Sequence, residues 1–212
     1  MNINQDMCPL ELFNTWFQDA QLNSEMKYAN AFVLATTDNK GHPDARVVLA
    51  KSIDVKHGFL VFYTNYESSK ALQIMENSRA SSVFYWDKMK RQVRISGLCI
   101  QSPDNESDDY FARRPLENQI NATVSQQSQI IDDYATLVSQ YTKMLSKYQN
   151  TAFSSLKRPK HWGGFRLYFS SLEFWIAGSS RFHQRYKFNR EINQLSLSSI
   201  SKNSWKMSKL QP

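Results

Sequence analysis

The stretch AFVLATTDNKGHPDARVVLAK, Ala31 to Lys51, decides the fold. Ala31 to Thr37 reads as a strand, Asp38-Asn39-Lys40-Gly41 is turn chemistry, and Ala45 to Lys51 returns as a second strand. A β-hairpin is therefore predicted. Phe59 to Thr64 is a third short β run of aromatic and β-branched residues. Ser68 is positioned to cap a helix running to about Asn77. Ala80 to Trp86 and Gln92 to Ile100 are two further strands across a polar, basic turn. The first half is a meander of short strands with one inserted helix.

Working outward, Leu10, Phe13, Trp16 and Phe17 recur at helical spacing, which predicts an amphipathic helix over Leu10 to Ala20. Residues 1–8 before it are expected to be a flexible tail. Ser107, followed by Asp108 and Asp109, reads as a helix start, and Pro115 as its end or bend. Ile131, Tyr134, Val138, Tyr141, Leu145 and Tyr148 predict a long amphipathic helix. Thr151 to His161 reads as a polar loop. Gly163-Gly164 opens a predicted hairpin: Phe165 to Phe169, a Ser-Ser turn, and Leu172 to Ile176. After a Gly178-Ser179-Ser180 loop, Arg185 to Phe188 and Trp205 to Leu210 can supply closing strands. The expectation is one domain over residues 1–212, mainly β with helices (α+β), a β-barrel with helical additions.

Composition narrows the function classes. The 212 residues carry 26 basic and 19 acidic side chains, a formal charge of +7. Hydrophobic residues at 41% and charged ones at 21% fit a globular chain. No apolar run is long enough for a membrane-spanning helix. Cys8 and Cys99 make neither a disulfide framework nor a zinc spacing, so no metal is expected. Met1 to Cys8 lacks the pattern of a secretory signal, and a reducing, cytoplasmic setting is the default expectation. The basic charge suggests anionic partners, but the basic residues are scattered and no nucleic-acid-binding signature occurs. Neither a nucleic acid nor a membrane is expected as a partner. Phosphate-loop, dinucleotide-binding, zinc-protease and nucleophile-elbow motifs are all missing from the sequence.

Four constellations remain. Arg46-Val47-Val48-Leu49-Ala50-Lys51 is a strand with a cation at each end. Alternation puts Arg46 and Lys51 on opposite faces, unless Lys51 sits at the strand end or a bulge intervenes. The same run reads equally as a core strand with snorkelling ends. Tyr63-Thr64 running into Ser68-Ser69-Lys70 offers hydroxyls, a lysine and free N–H groups at a helix start, a ready phosphate site or simple capping. Tyr110 and Arg114, four apart, share one helix face, as an ordinary surface pair also would. In extended structure Arg181, His183 and Arg185 share a face, which is costly unless an anion answers them.

Taken in order, these segments resemble the pyridoxamine (pyridoxine) 5'-phosphate oxidase family of flavoproteins. The resemblance runs from Pro9-Leu10-Glu11-Leu12-Phe13 to Lys209-Leu210-Gln211-Pro212. Its most specific pieces are Arg46 to Lys51, Phe62-Tyr63-Thr64-Asn65, Arg91-Gln92-Val93, and Tyr110 with Arg113-Arg114-Pro115. Trp162-Gly163-Gly164-Phe165-Arg166, Glu173-Phe174-Trp175 and Arg181-Phe182-His183 complete the set. It implies an FMN-binding split β-barrel working as a homodimer. It implies that FMN is held by Arg46, Val47, Val48, Leu49 and Lys51, by Tyr63, Thr64 and Lys70, and by Gln92, Gln127, Ser128, Trp175 and Arg185. The substrate, a phosphorylated B6 vitamer, would place its phosphate on Lys51, Tyr110 and Arg114, and its ring by Arg181 and His183, the implied catalytic pair. The implied reaction passes a hydride equivalent from C4' to the flavin, and O2 then yields H2O2.

The chain departs from the family pattern in places. Ser69 stands where an Arg is usual before the helix lysine, and Asn118 where a phosphate-contacting Ser is usual. Gln184 replaces Asp, Asn121 and Thr123 replace Gly and Trp, and Lys209 replaces Arg. Two other functions fit the same resemblance: oxidation of another reduced ring, such as a phenazine precursor, and non-catalytic binding of FMN or pyridoxal phosphate.

Overall fold

A computed structural model describes residues 3–23, 25–149, 156–192 and 205–212. Helix α1 (Pro9–Leu22) opens the fold with proline in its first turn, where a missing N–H costs nothing. Strands β1 (Ala31–Thr37) and β2 (Pro43–Leu49) form the expected hairpin, with Gly41 at φ +84° in its turn. β3 (Ser52–Asp54) and β4 (Phe59–Asn65) follow, then α2 (Ser69–Glu76), β5 (Arg79–Trp86) and β6 (Arg91–Gln101). α3 (Asp104–Ala112), α4 (Leu116–Val124) and α5 (Tyr134–Gln149) come next, then β7 (Trp162–Ile176), β8 (Gln184–Asn189) and β9 (Lys206–Leu210).

The strands build one curled antiparallel sheet in the order β2-β1-β5-β6-β7-β4-β3, with β8 on β7 and β9 on β8. β7 organises it. One edge pairs with β6 from Phe165 to Ile176, while the other pairs first with β4 and then with β8. The two serines predicted to turn a hairpin lie inside this single strand. Ser96 pairs with Ser171 and Gly97 with Phe169, so Ser170 is an extra residue, a bulge rather than a turn. A side chain at Gly97 would sit 1.7 Å from the Tyr168 carbonyl oxygen, so the strands approach too closely there for any other residue.

α1 fills the concave side. Phe13 meets Phe84 and Phe169, and Trp16 meets Phe174 edge-on at 5.2 Å. Its apolar spacing thus seals the half-barrel. Of the loose tail expected over residues 1–8, residues 3–8 are described and are anchored: Ile3 is 1% exposed within this core, and Met7 and Cys8 pack against it.

Other expectations need correction. The Ser68 hydroxyl does not cap α2; it donates to the Asn65 carbonyl at 2.7 Å. α3 starts at Asp104, leaving Ser107 buried inside it, where its hydroxyl accepts the Gly164 N–H. Pro115 caps the start of α4, a helix the sequence reading missed. α5 begins at Tyr134 rather than Ile131, and its Tyr141, Leu145 and Tyr148 pack on a second cluster of Phe111, Ile120, Leu156 and Trp162. Of the predicted 151–161 loop, 151–155 lie outside the described residues. Among the described residues no helix is long and apolar enough to cross a bilayer.

Candidate functional site

A cleft of about 800 Å³ opens between β2, the β4–α2 junction, α3 and α4. It gathers Arg46, Val47, Val48, Leu49, Lys51, Tyr63, Thr64, Lys70 and Gln127, all expected around a cofactor. It also takes in Tyr110, Arg114 and Asn118, expected around a substrate phosphate. β2 ends at Leu49, and the Lys51 N–H then bonds the Val61 carbonyl at 2.8 Å. Lys51 therefore sits past the strand end, which is how Arg46 and Lys51 reach one cleft.

The β4–α2 junction concentrates hydrogen-bond donors at the cleft. Lys70 is only 8% exposed and makes no ion pair among the described residues. Its ammonium bonds the hydroxyl oxygens of Ser68 at 3.2 Å and Thr64 at 3.3 Å. Burial, and then the nearby Arg46 charge, bring its pKa down to about 8. The Thr64 hydroxyl, the Lys70 ammonium and the Asn65 N–H all donate to one oxygen, Gln127 Oε1, at 3.0–3.4 Å. Three donors converging on one oxygen match the demand of a phosphate. Arg46 is itself fixed, through Thr36 at 2.6 Å and Asp44 at 2.5 Å.

Across the cleft, Arg114 lies with its guanidinium 4.4 Å over the Trp162 ring. Its Nη1 is buried without a hydrogen-bond partner, and burial lowers its pKa. Tyr110 stacks on Tyr63 at 3.9 Å, and Tyr63 on Trp162 at 5.3 Å. Burial above all raises the Tyr63 pKa, so the phenol is neutral. The wall is thus an aromatic stack with an unanswered cation at its end.

The remaining expected residues lie elsewhere. Gln92, Trp175 and Arg185 are cross-strand neighbours on β6, β7 and β8, and none lines the cleft. Trp162 and Trp175 sit near opposite ends of β7, about 40 Å apart along its path. Arg181 and His183 belong with this second group, but not as an extended face. Ser180 and Arg181 adopt positive φ, and the His183 N–H bonds the Arg181 carbonyl around Phe182, an inverse γ-turn. Nor is Arg185 unanswered, for it pairs with Glu173. His183 lies 4.7 Å from Trp175, and its Nδ1 accepts the Gly178 N–H at 3.3 Å. The neutral ring therefore carries its proton on Nε2. Ser69 is exposed beside the cleft, its N–H on the Ser128 hydroxyl at 3.4 Å. Ser128 holds φ +73°.

The sequence reading did not place Asn121, Ala122 and Ser125 in the site. With Asn118 they step along one face of α4 at helical spacing and line the cleft. That spacing was the available signal. Arg113 and Trp162 also line it; both stood only as pieces of the resemblance.

Comparison with known proteins places this fold in a family of split-barrel flavoprotein oxidoreductases. The sequence profile described as "Pyridoxamine 5'-phosphate oxidase" matches residues 18–148, and one described as "Pyridoxine 5'-phosphate oxidase C-terminal dimerisation region" matches 162–212. The chain belongs to the pyridoxamine 5'-phosphate oxidase family. It is 39% identical to a pyridoxine/pyridoxamine 5'-phosphate oxidase of Paraburkholderia phytofirmans over 98% of this chain and 90% of that one. A protein of the same name from Burkholderia mallei is 39% identical over 96% and 89%. Among solved structures, PhzG from Burkholderia lata, in complex with tetrahydrophenazine-1-carboxylic acid, superposes with a TM-score of 0.83 at 28% identity, covering 96% of this chain and 92% of that one. A related FMN-binding protein from Nostoc punctiforme has a TM-score of 0.71 at 14% identity, covering 99% and 100%, and shows the fold alone.

Proposed function

We propose that the chain is an FMN-dependent oxidase of pyridoxamine and pyridoxine 5'-phosphates, giving pyridoxal 5'-phosphate with O2 as acceptor and H2O2 as product. One observation carries this reading: a single cleft holds a buried cation, Lys70, and a half-buried one, Arg114, whose Nη1 is buried without a partner, and neither has a carboxylate partner among the described residues. The donor set fits FMN, with its phosphate at Thr64, Ser68 and Lys70 and its ring along Arg46 to Leu49. Lys51, Tyr110, Arg114 and Asn118 would hold the substrate phosphate. FMN, when bound, supplies the two-electron acceptor for oxidation at the substrate's C4'. The residues' own work is to bind, orient and exclude water.

Arg181 and His183 complete the site from a second copy in this reading. The match of residues 162–212 to a dimerisation region supports it. So does an exposed apolar ribbon on the sheet's outer face. Val47, 65% exposed, pairs with Val33, which pairs with Val83, and Tyr85 follows on the same face opposite Gln92. The ribbon thus leads straight to the Gln92–Trp175–Arg185 row. In that position the His183 Nε2–H is a donor for the substrate ring, and Arg181 a charge beside it.

The PhzG likeness favours a second reading, oxidation of a reduced phenazine carboxylic acid. Aerobic turnover decides. The expected result is aldehyde absorbance and peroxide from pyridoxamine and pyridoxine 5'-phosphates. Turnover of a dihydrophenazine acid with none of the vitamers would select the second reading, and a protein that takes up no FMN would end both.

A further inference from the structure

Glu173 lies two residues before Trp175 on β7 and is 6% exposed. Its carboxylate answers two arginines. Oε1 accepts the Arg185 Nε–H at 2.9 Å and lies 2.8 Å from Nη2 as an ion pair, and Oε2 accepts Arg94 Nη1 at 3.3 Å. Arg94 and Lys187 are the direct cross-strand neighbours of Glu173, whereas Arg185 stands opposite Trp175 in the next row. Glu173 therefore reaches diagonally, out of its own row, to hold a cation in the Gln92–Trp175–Arg185 row. The remaining arm of that cation is held too, since Arg185 Nη1 donates to the Gln211 carbonyl at 3.0 Å.

A guanidinium has five N–H bonds in a rigid fork. The Nε–H is held by Glu173 and one Nη1–H by Gln211, which fixes the plane of the fork and the direction of its remaining N–H bonds. We infer that Glu173 is a positioning residue for the flavin: it presets the Arg185 fork before the cofactor binds, so that ordering this long side chain costs nothing at that moment. The inference rests on the proposed reading, with Arg185 of a second copy reaching the FMN in the cleft, as the family resemblance implies. Without the carboxylate, Arg94, Arg185 and Lys187 face one another unneutralised, and Arg185 swings toward solvent.

The test is a double-mutant cycle read by the FMN dissociation constant of the full-length protein, titrated by flavin fluorescence. Glu173→Gln keeps the shape and removes the charge; it should weaken FMN binding about tenfold, within the range for coupled residues of one network. Arg185→Ala should weaken it as well. The double variant should bind no worse than Arg185→Ala alone, because Glu173 acts only through that arginine. Arg94→Ala, which frees the other carboxylate oxygen, should leave the constant at its wild-type value. A purely structural Glu173 would lower thermal stability and make the two losses additive. Additive losses, or wild-type affinity in Glu173→Gln, overturn the inference while the oxidase reading stands. Wild-type affinity in Arg185→Ala removes Arg185 from the flavin and the inference with it. A wild-type protein that binds no FMN sinks both. Should Glu173→Gln fail to fold, Glu173→Asp, too short to span both arginines, takes its place in the cycle with the same expectations.

Discussion

Replacing Lys70 with methionine should make the FMN-free protein more stable and the FMN complex weaker. In the folded protein the ammonium titrates at about 8 rather than 10.5, so its charge carries a cost that is fully present below pH 8 and gone above 10.5. That gap corresponds to roughly 3 kcal/mol. Methionine keeps the length and removes the cost. It also forfeits the contacts to Ser68 and Thr64, worth roughly 1 kcal/mol each, and the longer, weaker one to Gln127. The balance is a gain of at most about 1 kcal/mol, or up to roughly 2–4 °C in the melting temperature of a chain this size. FMN loses a charge-assisted hydrogen bond of about 1.5–3 kcal/mol, which weakens it roughly ten- to a hundredfold. Calorimetry of FMN-free protein at fixed concentration, with flavin titrations from pH 7 to 9.5, reads both. The wild-type dissociation constant should rise with pH above 8, by up to about tenfold per pH unit, because binding then requires a proton. In Lys70→Met it should be flat. A lower melting temperature with an unchanged dissociation constant would falsify the anion role and leave Lys70 as a tie between β4 and α2.

Three further outcomes are expected. Arg181→Ala and His183→Ala should cut turnover about a hundredfold while FMN stays bound, since misplacing the reacting carbon by about 1 Å costs that much; near-wild-type rates in both would return the turn to a structural role. Gly178→Ala should lower kcat similarly, because its Cβ would lie 1.8 Å from the Phe182 carbonyl oxygen and displace the N–H that fixes His183; steady-state rates and the pH profile check this. Ser69→Arg should tighten FMN about tenfold by adding a charged donor beside Lys70, with the gain shrinking as salt rises; the same or a weaker constant at low salt would place Ser69 away from the phosphate.

Local chemistry made much of this legible. The β1–β2 hairpin announced itself through turn residues between apolar runs, and α1 through its spacing. What failed was wherever tertiary context outvoted a local signal. Ser170-Ser171 carries turn composition, yet both edges of β7 are paired there, and the strand absorbs the extra residue as a bulge. Ser107 with two aspartates reads as a helix start, but Pro103 begins α3 one turn earlier and buries that serine against Gly164. Extended geometry promised a shared face for Arg181, His183 and Arg185; the left-handed φ of Ser180 and Arg181 breaks it. For the site, the cleft half was readable because Arg46 to Lys51 and Tyr63 to Lys70 are continuous in the chain. The grouping of Gln92, Trp175 and Arg185 depends on strand register across three strands, which no single segment encodes.

β7 is the centre of the sheet in space and a late arrival in time. Its partners on β4 lie about 100 residues earlier in the chain, from the Asn65–Trp162 pair to the Phe59–Tyr168 pair. A ribosome adding roughly 5–20 residues per second leaves that edge open for something like 5–20 s. During the wait the β1–β2 and β5–β6 hairpins can close on their own, being local, while β4 offers Phe59, Val61 and Tyr63 on an unpaired edge. A nascent chain stopped before Trp162 already holds every cleft side chain but that one. It lacks the strand that seats them, so biogenesis of this protein leaves an apolar edge open while about 100 residues are added and hides it only when β7 arrives.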